Sequence, residues 1–160
     1  MSRGRTGGAV FAAMALAAAL LVPASPGSAQ RLQVTRVQDL TFHTVLAGGT
    51  VVIPPSAPAA GKFTVRSVPN RQLIITFTLP VALEHGAALL PIRFGPASAA
   101  WSFTDDVATA APFDPAVPLT VQVPPGGRTL HVWIGGQVGT SPEQPPGGYT
   151  GPLTITAVLS

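Results

Sequence analysis

From Leu73 to Leu79 the chain reads Leu-Ile-Ile-Thr-Phe-Thr-Leu, with an apolar side chain at every second position and threonines filling most of the gaps. Successive side chains of a β-strand point to opposite faces, so Leu73, Ile75, Phe77 and Leu79 are predicted to share a buried face while Thr76 and Thr78 face away. The same period of two recurs at Leu119, Val121 and Val123, at Leu130, Val132 and Ile134, and at Leu153, Ile155, Ala157 and Leu159. Shorter apolar runs occupy residues 32–37, 40–45, 51–53, 63–68, 92–94 and 101–103. No window of residues 30–160 keeps a 3.6-residue apolar period over the length of a helix. The pattern predicts an all-β chain, an immunoglobulin-like antiparallel β-sandwich of about eight or nine strands.

Turn residues separate these runs. Gly48-Gly49, Pro54-Pro55, Pro69-Asn70, Pro124-Pro125-Gly126-Gly127 and Pro145-Pro146-Gly147-Gly148 combine the fixed φ of proline with the freedom of glycine where a chain reverses. The turn at residues 124–127 is expected to join its flanking strands as a hairpin. Residues 56–60 and 108–118 are rich in Ala and Pro and long for hairpins, and are expected to cross between sheets. Tyr149, close to Gly148 and Gly151, is expected to pin the last turn with its ring packed inward and its hydroxyl on the backbone, like the corner tyrosine of immunoglobulin-type sandwiches.

The first thirty residues do not follow this pattern. Arg3 and Arg5 precede an uninterrupted apolar run over residues 9–22, then Pro23 and the small residues up to Ala29. A charged start, a short apolar stretch and an Ala-x-Ala-like site read as a secretory signal peptide over residues 1–29. The apolar run is shorter than the roughly 20 residues of a spanning helix, so no membrane span is expected after cleavage. Residues 30–160 match the size of one domain. The chain has no Cys, so an exported domain of this sequence is stabilised by packing and strand ladders without disulfides.

Charge adds little. The sequence pI is about 10.7, yet only nine Lys and Arg stand against six Asp and Glu, and two of the arginines belong to the leader. With so few titrating groups a small arginine surplus raises the pI. Arg31, Arg36, Lys62, Arg66, Arg71, Arg93 and Arg128 are scattered singly rather than grouped to neutralise phosphates, which argues against nucleic acid as a partner.

Candidate chemistry is thin. Asp105, Asp106 and Asp114 form the one acidic cluster, without the turn glycine of a calcium loop, and read as solvated loop acids. His43, His85 and His131 lack zinc-ligand spacing, and there is neither a Gly-x-Ser-x-Gly elbow nor a Cys nucleophile. No metal, cofactor or catalytic residue is implied, and the chain reads as a non-enzyme. His131 and Trp133 lie two apart in a strand, opposite Leu130, Val132 and Ile134, and therefore share the outer face. An outward aromatic beside a hydrogen-bonding ring makes this pair the candidate surface binding face, for a sugar or a protein, against the alternative of a Trp133 packed under a loop.

Two stretches carry a family resemblance: the segment from Asp39 to Pro55, with Asp39, Leu40 and Phe42, and the end of the chain from Leu130, with Pro146, Gly148, Tyr149 and Gly151 feeding the last strand. Together they resemble the bacterial exported domain of unknown function 4402 family, with His43 standing where that family tends to have Gly. The closing turn is more distantly similar to spore-coat-U-like and fimbrial subunits. The resemblance implies a β-sandwich in a cell-envelope setting and brings no catalytic residues. The expectation is a non-catalytic exported envelope or surface protein, in the periplasm, on the cell surface or outside the cell, in its sharpest form a pilus-like or matrix subunit. Its partners would be itself or other envelope proteins, joined by strand addition. A monomeric carbohydrate- or protein-binding module is the alternative, and a secreted hydrolase the third reading. Residues 32–37 are expected to donate a strand in assembly, whereas residues 153–160 are expected to close the domain from within.

Overall fold

In the computed structural model, which describes residues 31–42, 45–126 and 128–160, the alternating runs become twelve strands. The expected signal peptide at residues 1–29 and His43 lie outside the described residues. The strands are β1 (Gln33–Gln38), β2 (Thr50–Ile53), β3 (Gly61–Arg66), β4 (Gln72–Thr78), β5 (Ala82–His85) and β6 (Ala88–Arg93). After them come β7 (Ala99–Ser102), β8 (Ala111–Phe113), β9 (Leu119–Gln122), β10 (Thr129–Ile134), β11 (Gly136–Gly139) and β12 (Thr154–Leu159). One 3-10 turn at Val107–Thr109 is the helical element among the described residues.

The strands form three antiparallel sheets, in the orders β1-β3-β10-β7-β8, β2-β11-β6-β5 and β12-β4-β9. The first and third stack as the layers of a sandwich. Phe63, Val65, Leu130, Val132 and Ile134 from one meet Leu73, Ile75, Phe77, Val121 and Val123 from the other. Phe63 and Phe77 touch edge to face across the gap, ring centres 6.0 Å apart, the geometry that aromatic quadrupoles favour. Along β4 the inward residues are buried and Thr76 and Thr78 exposed, as the alternation predicts.

The remaining sheet builds a second, smaller core from Leu83, Leu90, Ile92 and Val138, against which Leu40, Phe42, Val45 and Tyr149 pack. It is reached by strands that pass from one sheet into another. Between β10 and β11 the chain bends at Gly135, where a Cβ would sit 1.9 Å from the Ile53 carbonyl oxygen, so no side chain fits. β5 and β6 pair His85 with Ala88 across a two-residue turn that opens on Gly86 at φ +60, the left-handed conformation such tight hairpins require.

Two expectations change in detail. The turn after Val123 does not close a hairpin: β9 pairs with β4 and β10 with β3 and β7, so the turn carries the chain between layers. Residues 40–42 and 45 are not in a strand, and Leu40, Phe42 and Val45 among them pack on the second core. The expected crossings occur, after β2 toward β3 and after β8 toward β9. Among the described residues no helix is long and apolar enough to cross a membrane.

Candidate functional site

The outer face of the five-stranded sheet carries the predicted pair. His131 and Trp133 do point away from the core, but they are not an open binding surface: Trp133 is 7% exposed and the His131 side chain 14%. Their rings stack on each other, centres 6.0 Å apart. The strand partner of Trp133 on β3 is Lys62, whose Nζ sits 5.5 Å from the Trp133 ring centre, a cation held against an aromatic. Lys62 in turn donates to the Asp105 carboxylate, and the same carboxylate oxygen lies 3.6 Å from His131 Nδ1. Alternation along β10 gives the face; Asp105, which binds the Lys62 held against that face, arrives from the loop after β7, which the alternation does not encode.

The hydrogen bond from the Lys62 ammonium holds the Asp105 carboxyl below the usual carboxylate range; slight desolvation opposes this, and the charges of Lys62 and His131 add to it. The other acids of the loop serve the backbone. Asp106 caps the 3-10 turn by accepting from the Ala108 amide at 2.9 Å, and Asp114 accepts from the Ala116 amide at 2.9 Å. These are the local bonds by which Asp shapes turns. Among the described residues no group of His, Asp and Glu is arranged to hold a metal ion.

At the second core, the Tyr149 hydroxyl donates to the Pro145 carbonyl at 2.8 Å and accepts from Gln144 Nε2 at 2.6 Å. The ring of His85 lies 5.4 Å from that of Tyr149, and its Nδ1 donates to the Gly148 carbonyl at 3.1 Å. Tyr149 thus ties the turn over β5 and β6. Next to it a cleft of about 540 Å³ runs between the two cores, lined by Phe42, Phe94, Leu83 and Tyr149 and by the ion-paired Arg36 and Asp39.

The family model for a domain of unknown function, DUF4402, matches residues 24–158. The chain belongs to the DUF4402 family. No curated protein and no solved structure is found to match it, and the more distant likeness to spore-coat-U-like and fimbrial subunits finds no counterpart in these comparisons. The matched span of the DUF4402 domain takes in all twelve strands except the final residue of β12.

The edges of the DUF4402 sheets are the last feature with chemistry to offer. Every residue of β1 is exposed, and β1 pairs only with β3, its ladder broken by a bulge between Arg36 and Gln38. β12 pairs only with β4, over six residue pairs from Thr154–Thr78 to Leu159–Leu73. β1 and β12 lie against each other at the same side of the sandwich. Among the described residues neither has a partner on its outer edge. Sequence reasoning singled out both strands but not their placement side by side, which follows from how the two layers stack.

Proposed function

We propose that this DUF4402 domain is a non-catalytic exported subunit of the cell envelope or surface, a pilus-like or matrix building block that assembles through its sheet edges. The observation that carries this reading is the open side of the sandwich, where, among the described residues, β1 and β12 have no strand paired to their outer rows of backbone donors and acceptors. Such rows are templates for adding another strand. The polar side chains support a structural role as well. Asp106 and Asp114 shape turns, Asp105 anchors Lys62, and His85 braces Tyr149. The covering of Trp133 removes the exposed ring on which a sugar-binding reading would rest.

Sedimentation velocity and electron microscopy of the exported chain over a wide concentration range test the reading. Oligomers or fibres are expected at moderate concentration. A strict monomer throughout would overturn it in favour of a monomeric binding module.

A further inference from the structure

Six strand edges bound the three sheets, and they differ in how they are protected. β8 is three residues long and contains Pro112, and β2 runs directly into Pro54 and Pro55. β9 is four residues long and lies between Pro118 and Pro124. The outer edge of β5 is occupied by Thr150, whose backbone exchanges two hydrogen bonds with Glu84, at 2.7 and 3.0 Å. β1 carries Arg36 and a bulge. Short length, proline, charge and bulges are the devices that keep sheet edges from pairing. β12 is protected least: its six residues, Thr-Ile-Thr-Ala-Val-Leu, contain no charge, no proline and no glycine, its ladder has no bulge, and Pro152, two residues before its start, is the one such device beside it.

The phase of its ladder fixes which groups are free. Ser160 donates its amide to the Gln72 carbonyl at 2.9 Å. Alternate residues of an antiparallel strand bond to opposite sides, so the amides and carbonyls of Thr154, Thr156 and Val158 face β4, and those of Ile155, Ala157 and Leu159 face outward. The inward side chains of those same three residues are only half buried, although Leu73 and Ile75 beside them on β4 are fully buried. The row of core side chains is left uncovered on its outer flank.

We infer that the outer edge of β12 pairs with β12 of a second copy of this chain, antiparallel and symmetric about Ala157. This rests on the assembly reading above and names its contact. In that register the outward amides and carbonyls of Ile155, Ala157 and Leu159 meet those of Leu159, Ala157 and Ile155 in the other copy, for about six backbone hydrogen bonds. On the core side Ile155 faces Leu159 and Ala157 faces itself, and on the outer side Thr156 faces Val158. Each pair matches apolar with apolar or β-branched with β-branched, and no like charges meet. The two three-stranded sheets become one of six, and each copy covers the half-buried row of the other. A strand whose edge is neutral along its whole length offers nothing to a charged partner, whereas it complements itself at every position.

The test uses the purified exported chain with backbone amide exchange followed by NMR at low and high concentration. In the dilute monomer the amides of Thr156 and Val158 should be protected and those of Ile155, Ala157 and Leu159 should exchange fast. At high concentration the second set should become protected too. Val158→Lys alters an exposed side chain beside the edge, and Ala157→Pro removes one outward amide; each should weaken association at least ~30-fold, or about 2 kcal/mol at 1.4 kcal/mol for each factor of ten. Val158→Lys should leave the circular dichroism of the monomer unchanged. If the chain associates while the three outward amides stay fast and Val158→Lys associates normally, this assignment is overturned and the assembly reading stands. Protection confined to β1 would place the contact on the other open edge. A chain that never associates overturns both.

Discussion

At the scale of single residues, Gly135 leaves less room for a side chain than the other described glycines. With the Ile53 carbonyl 1.9 Å from where a Cβ would lie, Gly135→Ala must displace β2 or break the passage from β10 to β11. A cost at or above the roughly 1–3 kcal/mol of ordinary overpacking is expected, read from the midpoint of urea unfolding. Nothing in the local sequence marks the position, because what forbids a side chain there lies some eighty residues earlier in the chain. Tyr149 was more legible. Its glycine neighbours and lone position announced a corner, and its hydroxyl does reach backbone at Pro145. Asp105 was legible only as an acid; its partner Lys62 comes from another strand. Because its carboxyl is held below the ordinary value of 3.8, its contribution to stability is present above that pH and is lost as pH falls through the lowered value. Acid titration of Trp133 fluorescence in a Trp101→Phe background should show a step at more acidic pH than an ordinary carboxylate would give, and Asp105→Asn should abolish it.

Among the elements, β4 is the one the alternation describes best, since its neighbours on both sides keep one face buried and the other polar. Phe77→Ala should cost about 3–5 kcal/mol by denaturant unfolding, as expected for a ring lost from a packed core, and Thr76→Ala much less. Equal small effects would contradict the buried face. β11 was not legible. Gly136 and Gly139 stand at its ends, and glycine weakens a strand signal, yet Val138 between them is fully buried in the second core. β8 was hidden by Pro112, which an edge strand tolerates. The turn before β10 misled for a different reason: proline and glycine announce a reversal but do not say whether the next strand rejoins the same sheet, and here the pairing partners of β9 and β10 lie in opposite layers.

For the whole molecule, the two-layer sandwich follows from alternation and turn spacing, whereas the sheet β2-β11-β6-β5 does not, because its strands are short and β11 is a direct continuation of β10 out of another sheet. The open side of the sandwich also has a mechanical side. Gln33 of β1 pairs with Arg66, and Ser160 beyond β12 binds Gln72 and Arg71, so the outer ends of both strands flank the turn between β3 and β4. A pull that separates these two ends loads each ladder at its first hydrogen bond and peels it open bond by bond, whereas a pull along the strands would load all bonds of a ladder together. Atomic-force stretching from Gln33 and Ser160 should therefore meet little resistance before β1 and β12 detach. Tension carried through neighbouring domains attached at these two points would open the sandwich like a zip, turning mild force into two newly bared sheet edges.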